Sequence, residues 1–181
     1  MATQTLKLHL LLLIIIFTTL STSHARPIPI HDVNFIQNTC KNTQNPSFCV
    51  STLQSDKRSI NVTTVDALAG ISLGITVSDA ESTLSTINDL AEKSPGTALE
   101  EDLHVCAQLY SNAIDDLHDA IDQLNSKEYD AAATTVDQAG DAPDSCEAAF
   151  TDGVKSPVTD RDKRVKDLCG LSVDLLDLLS S

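Results

Sequence analysis

From Thr97 to Leu124 apolar side chains return at alternating steps of four and three residues, through Leu99, Leu103, Cys106, Tyr110, Ala113, Leu117, Ala120 and Leu124. The positions between them are largely acidic or amide-bearing, among them Glu100, Glu101, Asp102, Gln108, Asn112, Asp115, Asp116, Asp119 and Asp122. One continuous apolar stripe opposite a polar face predicts an amphipathic helix. It starts after the breaker Ser94-Pro95-Gly96, where Thr97 and Glu100 have the spacing of a capping box. At 1.5 Å per residue such a helix is about 40 Å long, and its stripe requires long partners.

The same interval recurs on both sides. Between Val65 and Glu92 lie two stripes, one of Leu68, Ile71, Ile75, Ser78 and Ser82, the other of Leu73, Val77, Ala80, Leu84, Ile87 and Ala91. A helix apolar on two sides packs against two neighbours. The short link to Thr97 permits only an antiparallel return. After a break at Asn125-Ser126, Tyr129, Ala132, Val136 and Ala139 are spaced three and four apart. Gly140 and Pro143 kink or split this third helix before Cys146 and Phe150 resume the spacing. Beyond a loop at Asp152 to Pro157, Asp160 opens a last helix carrying Val165, Leu168, Ser172, Leu175 and Leu179.

Upstream, Asp32 begins a short helix with Val33, Ile36 and Cys40, and Asn45-Pro46 begins another with Cys49, Val50 and Leu53. Ser55 to Ser59 is a polar break, and Thr63-Thr64 caps the first long helix. No stretch alternates with the period of a strand. The predicted fold is all-α, an up-down-up-down four-helix bundle over about 64–179 with an N-terminal helical hairpin over about 32–55.

Residues 1–25 stand apart from this pattern. Lys7 precedes an unbroken apolar run from Leu10 to Phe17, and Ser23-His24-Ala25 has the small-x-small form of a cleavage site. This reads as a secretory signal peptide, since the run is far shorter than the roughly 20 residues of a spanning helix. A single soluble domain over 26–181, outside the cytosol, is the expectation. The net charge of −14 becomes one unit more negative when Lys7 leaves with the leader. Such a field disfavours nucleic acid and anionic membrane as partners. Asn61-Val62-Thr63 is the one glycosylation acceptor, because proline disqualifies Asn45-Pro46-Ser47.

An oxidising compartment gives weight to the five cysteines. Two bridges and one free thiol is the natural reading. Cys40 and Cys49 flank a turn, Cys106 and Cys146 lie on successive helices, and Cys169 sits among Leu168, Leu171 and Val173 as a buried thiol. Spacing alone leaves the pairing open.

Candidate chemistry is sparse. His104 and His118 are about 20 Å apart along one helix and cannot share a metal. His118 with Asp115 and Asp122 shares a helix face, but beside Asp116 and Asp119 this reads as a solvated acidic surface. Neither a zinc spacing, a nucleophile elbow nor a phosphate-binding glycine loop occurs. No cofactor, no metal and no catalytic residue is expected; a rigid stapled surface suits a binding protein.

Several segments together resemble the plant invertase and pectin methylesterase inhibitors. They are Thr39-Cys40-Lys41-Asn42-Thr43, Phe48-Cys49-Val50 with Leu53, Ser55-Asp56-Lys57-Arg58-Ser59, Cys106 with Tyr110, Gly140-Asp141-Ala142 to Cys146-Glu147-Ala148-Ala149-Phe150, and Ser156-Pro157-Val158-Thr159. The resemblance implies disulfides Cys40–Cys49 and Cys106–Cys146 with Cys169 free. It also implies a monomer that binds one carbohydrate-active enzyme in the cell wall, the apoplast or the vacuole. The family's two targets are acid invertase (β-fructofuranosidase) and pectin methylesterase (pectinesterase), and fold does not choose between them.

The invertase branch carries Pro-Lys-Phe between the second and third bundle helices, where this chain has Asn125-Ser126-Lys127-Glu128-Tyr129. Proline and phenylalanine are missing, while Lys127, Glu128 and Tyr129 keep a cation and an aromatic at the tip. Tyr129 also fits as the first core residue of its helix. The C-terminal half is similar to a pollen-allergen-like subgroup described as invertase inhibitors, so invertase is the expected target. Pectin methylesterase, engaged through a helix face such as Asp115, Asp116, Asp119 and Asp122, is the alternative, and a non-inhibitory structural or storage protein is the third reading.

Overall fold

The computed structural model describes residues 30–151 and 153–180, and the signal peptide expected at 1–25 lies outside them. Among the described residues every regular element is helical. We number them α1 (Ile30–Cys40), α2 (Pro46–Ser55), α3 (Val65–Glu92), α4 (Ala98–Asn125), α5 (Tyr129–Ala139), α6 (Asp141–Ala149) and α7 (Thr159–Ser180), with a 3₁₀ turn at Lys57–Ser59. None of the described helices is long and apolar enough to cross a membrane.

The starts follow local chemistry. Asn45 accepts the Phe48 amide ahead of Pro46, Thr64 accepts the Ala67 amide, and Thr97 accepts the Glu100 amide at 3.2 Å. Glu100 reaches back, but to the amide of Gly96 (2.6 Å) rather than that of Thr97. Two of the starts fall one or two residues ahead of the acids that mark them in sequence: α1 begins at Ile30 rather than Asp32, and α7 at Thr159 rather than Asp160.

α3 packs against α4 and α7, α4 against α5 and α6, and α5 against α7, so the α5–α6 pair forms the fourth corner of an up-down-up-down bundle. The α4 stripe is buried from Leu103 through Cys106, Tyr110, Ala113, Leu117 and Ala120 to Leu124, with Leu99 half-buried at its edge. On α3 the second stripe holds, whereas the first fades after Ile75 and leaves Ser78 and Ser82 exposed. Hydroxyl side chains take part in the α3–α7 contact instead. Ser72 and Ser172 meet at 2.8 Å, and Thr76 donates to the Ser72 carbonyl at 2.9 Å, so these polar groups are buried and satisfied.

The third helix splits between α5 and α6. A Cβ at Gly140 would lie 3.2 Å from both the Asp137 carbonyl and the Cys169 Cβ, so the corner closes tightly on α7. Disulfides join Cys106 to Cys146 across α4 and α6, and Cys40 to Cys49 across the hairpin; Cys169 is free and buried. Burial, and after it the Asp137 carboxylate, push the Cys169 thiol up to about 12. The hairpin leans on α7, where Gln44 donates through its amide nitrogen (2.8 Å) and its side chain (3.1 Å) to the two oxygens of Asp174. The Arg164 guanidinium lies 5.2 Å from the centre of the Phe48 ring.

One acidic cluster is buried where α4, α6 and α7 converge. Asp162, only 2% exposed, accepts a hydrogen bond from the Tyr110 hydroxyl at 2.6 Å. Its second oxygen and Glu147 Oε1 are buried without a hydrogen-bond partner, and the half-buried Glu147 is its acidic neighbour. Burial raises Asp162 to about 7, the Tyr110 bond opposing and Glu147 and Asp144 reinforcing the rise. Burial also works against the Glu147 charge, but bonds from Ser156, Asp162 and Thr159 outweigh it and hold Glu147 below the usual carboxylate range.

Candidate functional site

The turn from α4 into α5 is built by backbone bonds. The Lys127 amide donates to the Leu124 carbonyl and the Glu128 amide to the Gln123 carbonyl, both at 2.9 Å, with Lys127 at φ 62°. This is a Schellman cap, whose left-handed position glycine ordinarily fills. A side chain there costs on the order of 1–2 kcal/mol, and an outlier of this kind marks a functional candidate. Lys127 is exposed and forms no ion pair among the described residues. Lys127→Gly is expected to raise stability by about 1 kcal/mol in urea unfolding, since glycine adopts this conformation freely.

Glu128 is exposed and leads into α5 without a side-chain cap bond. Tyr129 is half-buried against the core, and its hydroxyl donates to Asp66 Oδ1 at 3.2 Å in the first turn of α3. Desolvation, followed by the Asp66 carboxylate, raises the Tyr129 hydroxyl above its ordinary value. Leu179 and Ser180 at the end of α7 join residues 127–131 around an open groove of about 530 Å³. The tip therefore rests on three helix ends. Asp66, Leu179 and Ser180 carry no sequence signal for this role: Asp66 reads as an ordinary acid in a first turn, and the others as the end of a core stripe.

The other candidates do not line this groove. Asp115, Asp119 and Asp122 are exposed along α4, and so is His118. Asp116 is half-buried at a depression of about 130 Å³ between α4 and the α5–α6 corner. His104 is exposed, 3.7 Å from Glu100. Asn61 is exposed on the connection into α3, with φ 67°.

Two disulfides staple the bundle, the hairpin leans on its last helix and Lys127 stands exposed on the turn between α4 and α5; residues 34–175 match the family model described as plant invertase/pectin methylesterase inhibitor. The chain belongs to that family. It is 33% identical to the cell wall / vacuolar inhibitor of fructosidase 2 of Arabidopsis thaliana over 94% of this chain and 97% of that protein. It is 29% identical to a pectinesterase inhibitor of Actinidia deliciosa over 93% and 91%. Among solved structures it is similar to mutant form A of a pectin methylesterase inhibitor from Arabidopsis, with a TM-score of 0.67 and 27% identity over 79% of this chain and 95% of that one. These relatives are named as inhibitors, not as enzymes.

Proposed function

We propose that this chain is a secreted inhibitor of a plant acid invertase, acting in the apoplast or vacuole as a monomer that binds one enzyme molecule. The observation that carries the reading is Lys127, a cation without an ion-pair partner on a strained but well-bonded cap. Glycosidases hold two carboxyl groups around the scissile bond, and a projecting ammonium group matches that pocket. The preformed turn limits the ordering lost on association. Tyr129, tied to Asp66, fixes the direction of the tip. Likeness over nearly the whole chain to a protein named as an inhibitor of fructosidase supports the same target.

A second reading, inhibition of pectin methylesterase through the Asp115 to Asp122 face of α4, draws on the pectinesterase inhibitor of Actinidia deliciosa and on the similar Arabidopsis structure. Parallel assays against an acid invertase and a pectin methylesterase, with carboxylates part-titrated at about pH 5, separate the two. Lys127→Ala is expected to lose invertase inhibition by roughly 10-fold or more, the order of 1.4 kcal/mol, while its Tm stays at or above that of the parent. Full inhibition by this variant would refute the tip, and inhibition of pectin methylesterase alone would move the contact to the α4 face. Inhibition of neither enzyme would leave a family scaffold without this activity.

A further inference from the structure

Two non-glycine residues among those described have positive φ, Asn61 and Lys127, and they occupy the same end of the bundle. Helices α3 and α4 run antiparallel, with the backbone at Gly70 set against the Leu124 side chain, so the start of α3 lies beside the end of α4. Asn61 is four residues before Val65, and a trans chain of that length spans at most about 14 Å. One residue further, Asp66 holds the Tyr129 hydroxyl. The linker into α3 and the Lys127 turn thus lie toward the same end of the bundle.

Asn61 and Thr63 are both exposed, and neither side chain makes a hydrogen bond among the described residues. Val62 between them is half-buried against the core and anchors the turn. Asparagine is the side chain, after glycine, that most readily occupies the left-handed region. Ile60 next to it is 45% exposed, one of two large hydrophobic side chains so placed among the described residues. An exposed amide presented on such a turn, with a hydroxyl two residues on and no proline between, has what an N-glycosylation acceptor requires.

We propose that Asn61 carries an N-linked glycan and that this glycan stands at the rim of the Lys127 tip, where it weakens the grip on the target enzyme. The second half rests on the tip reading above. In the transfer, Asn61 Nδ2 attacks the anomeric carbon of an oligosaccharide carried on a lipid pyrophosphate. The C–N bond forms, the C–O bond to the phosphate breaks, the lipid pyrophosphate leaves, and the amide gives up one proton to a base of the transferase. A bulky, hydrated chain at this position covers Ile60 and competes with the enzyme for space beside Lys127.

The test uses the protein secreted from plant cells, as the parent and as the Asn61→Gly, Thr63→Ala and Thr63→Ser variants. Intact mass is expected to show the glycan on the parent and on Thr63→Ser, which keeps the acceptor pattern, and on neither of the other two. The two unglycosylated variants are expected to inhibit acid invertase several-fold more tightly, with Thr63→Ser like the parent. Parent protein of bare polypeptide mass overturns the site. A glycan at Asn61 with equal inhibition by all four proteins overturns its placement at the contact. Lys127→Ala, made in glycosylated and unglycosylated forms, keeps the tip apart: undiminished inhibition by both means that the tip reading fails while the mass result at Asn61 still stands.

Discussion

Between pH 5 and pH 8 the Tm of the protein is expected to fall by roughly 5–12 °C. The cause is Asp162, buried with one oxygen unpartnered beside Glu147, which favours its protonated form. An unfolded Asp titrates near 3.9, about its ordinary value, whereas folded Asp162 titrates at about 7. Across that window the native chain binds more protons than the unfolded chain, so stability declines as pH rises. The contribution of Asp162 is complete below the unfolded value and is lost as pH passes through the folded one. Glu147, held below the usual range, acts in the opposite sense: its contribution is present above the unfolded value and is lost as pH falls through the lowered one. Together they set the optimum on the acid side of neutrality.

The full shift corresponds to at most about 4 kcal/mol, at about 1.36 kcal/mol per pH unit, of which roughly 3 kcal/mol is lost between pH 5 and pH 8, and a domain of this length loses roughly 2–4 °C for each kcal/mol. Thermal unfolding by circular dichroism over a pH series measures it. Asp162→Asn is expected to flatten the profile, because Oδ1 still accepts from Tyr110 while Nδ2 donates to Glu147 with no proton to lose. A slope that survives this substitution would place its origin elsewhere in the chain.

The second large effect belongs to the cysteines. Cys106→Ala is expected to cost about 4 kcal/mol, the chain-entropy value for the 40-residue separation that its bridge to Cys146 closes. Both partners are fully buried, so the variant also leaves a free Cys146 thiol in the core. Cys169→Ala removes one buried sulfur and is expected to cost about 1 kcal/mol. Urea unfolding of the two variants side by side measures the difference, and equal losses would contradict the bridge.

How far this molecule is legible from its sequence depends on the kind of residue that makes each contact. The α4 stripe follows from spacing alone, because Leu103 through Leu124 are apolar and separated by turns of a helix. Ser72, Thr76 and Thr83 mislead, since a buried hydroxyl is as polar in sequence as an exposed one. Thr76 and Thr83 are satisfied by the carbonyls of Ser72 and Asp79, four residues earlier. Asp162 misleads in the same way: an acid in a first turn belongs in water by default, and only the meeting of three helices encloses it. At the candidate site Lys127 is recognisable as a tip residue through the family resemblance. Its left-handed cap and the Tyr129–Asp66 bond arise from backbone geometry and a contact 63 residues apart in sequence, which no local pattern encodes.

The position of α7 at the end of the chain has a consequence for biosynthesis. Domains are made from the N-terminus at a few residues per second, and all four bridging cysteines, up to Cys146, precede Thr159, where α7 begins. Both covalent bonds can therefore be set on a three-cornered nascent chain. Cys169 emerges last of the five, and it is sealed against Gly140 when the last helix closes the ring. Burial, which keeps the thiol protonated and out of reach once α7 has closed, protects this odd cysteine from mispairing.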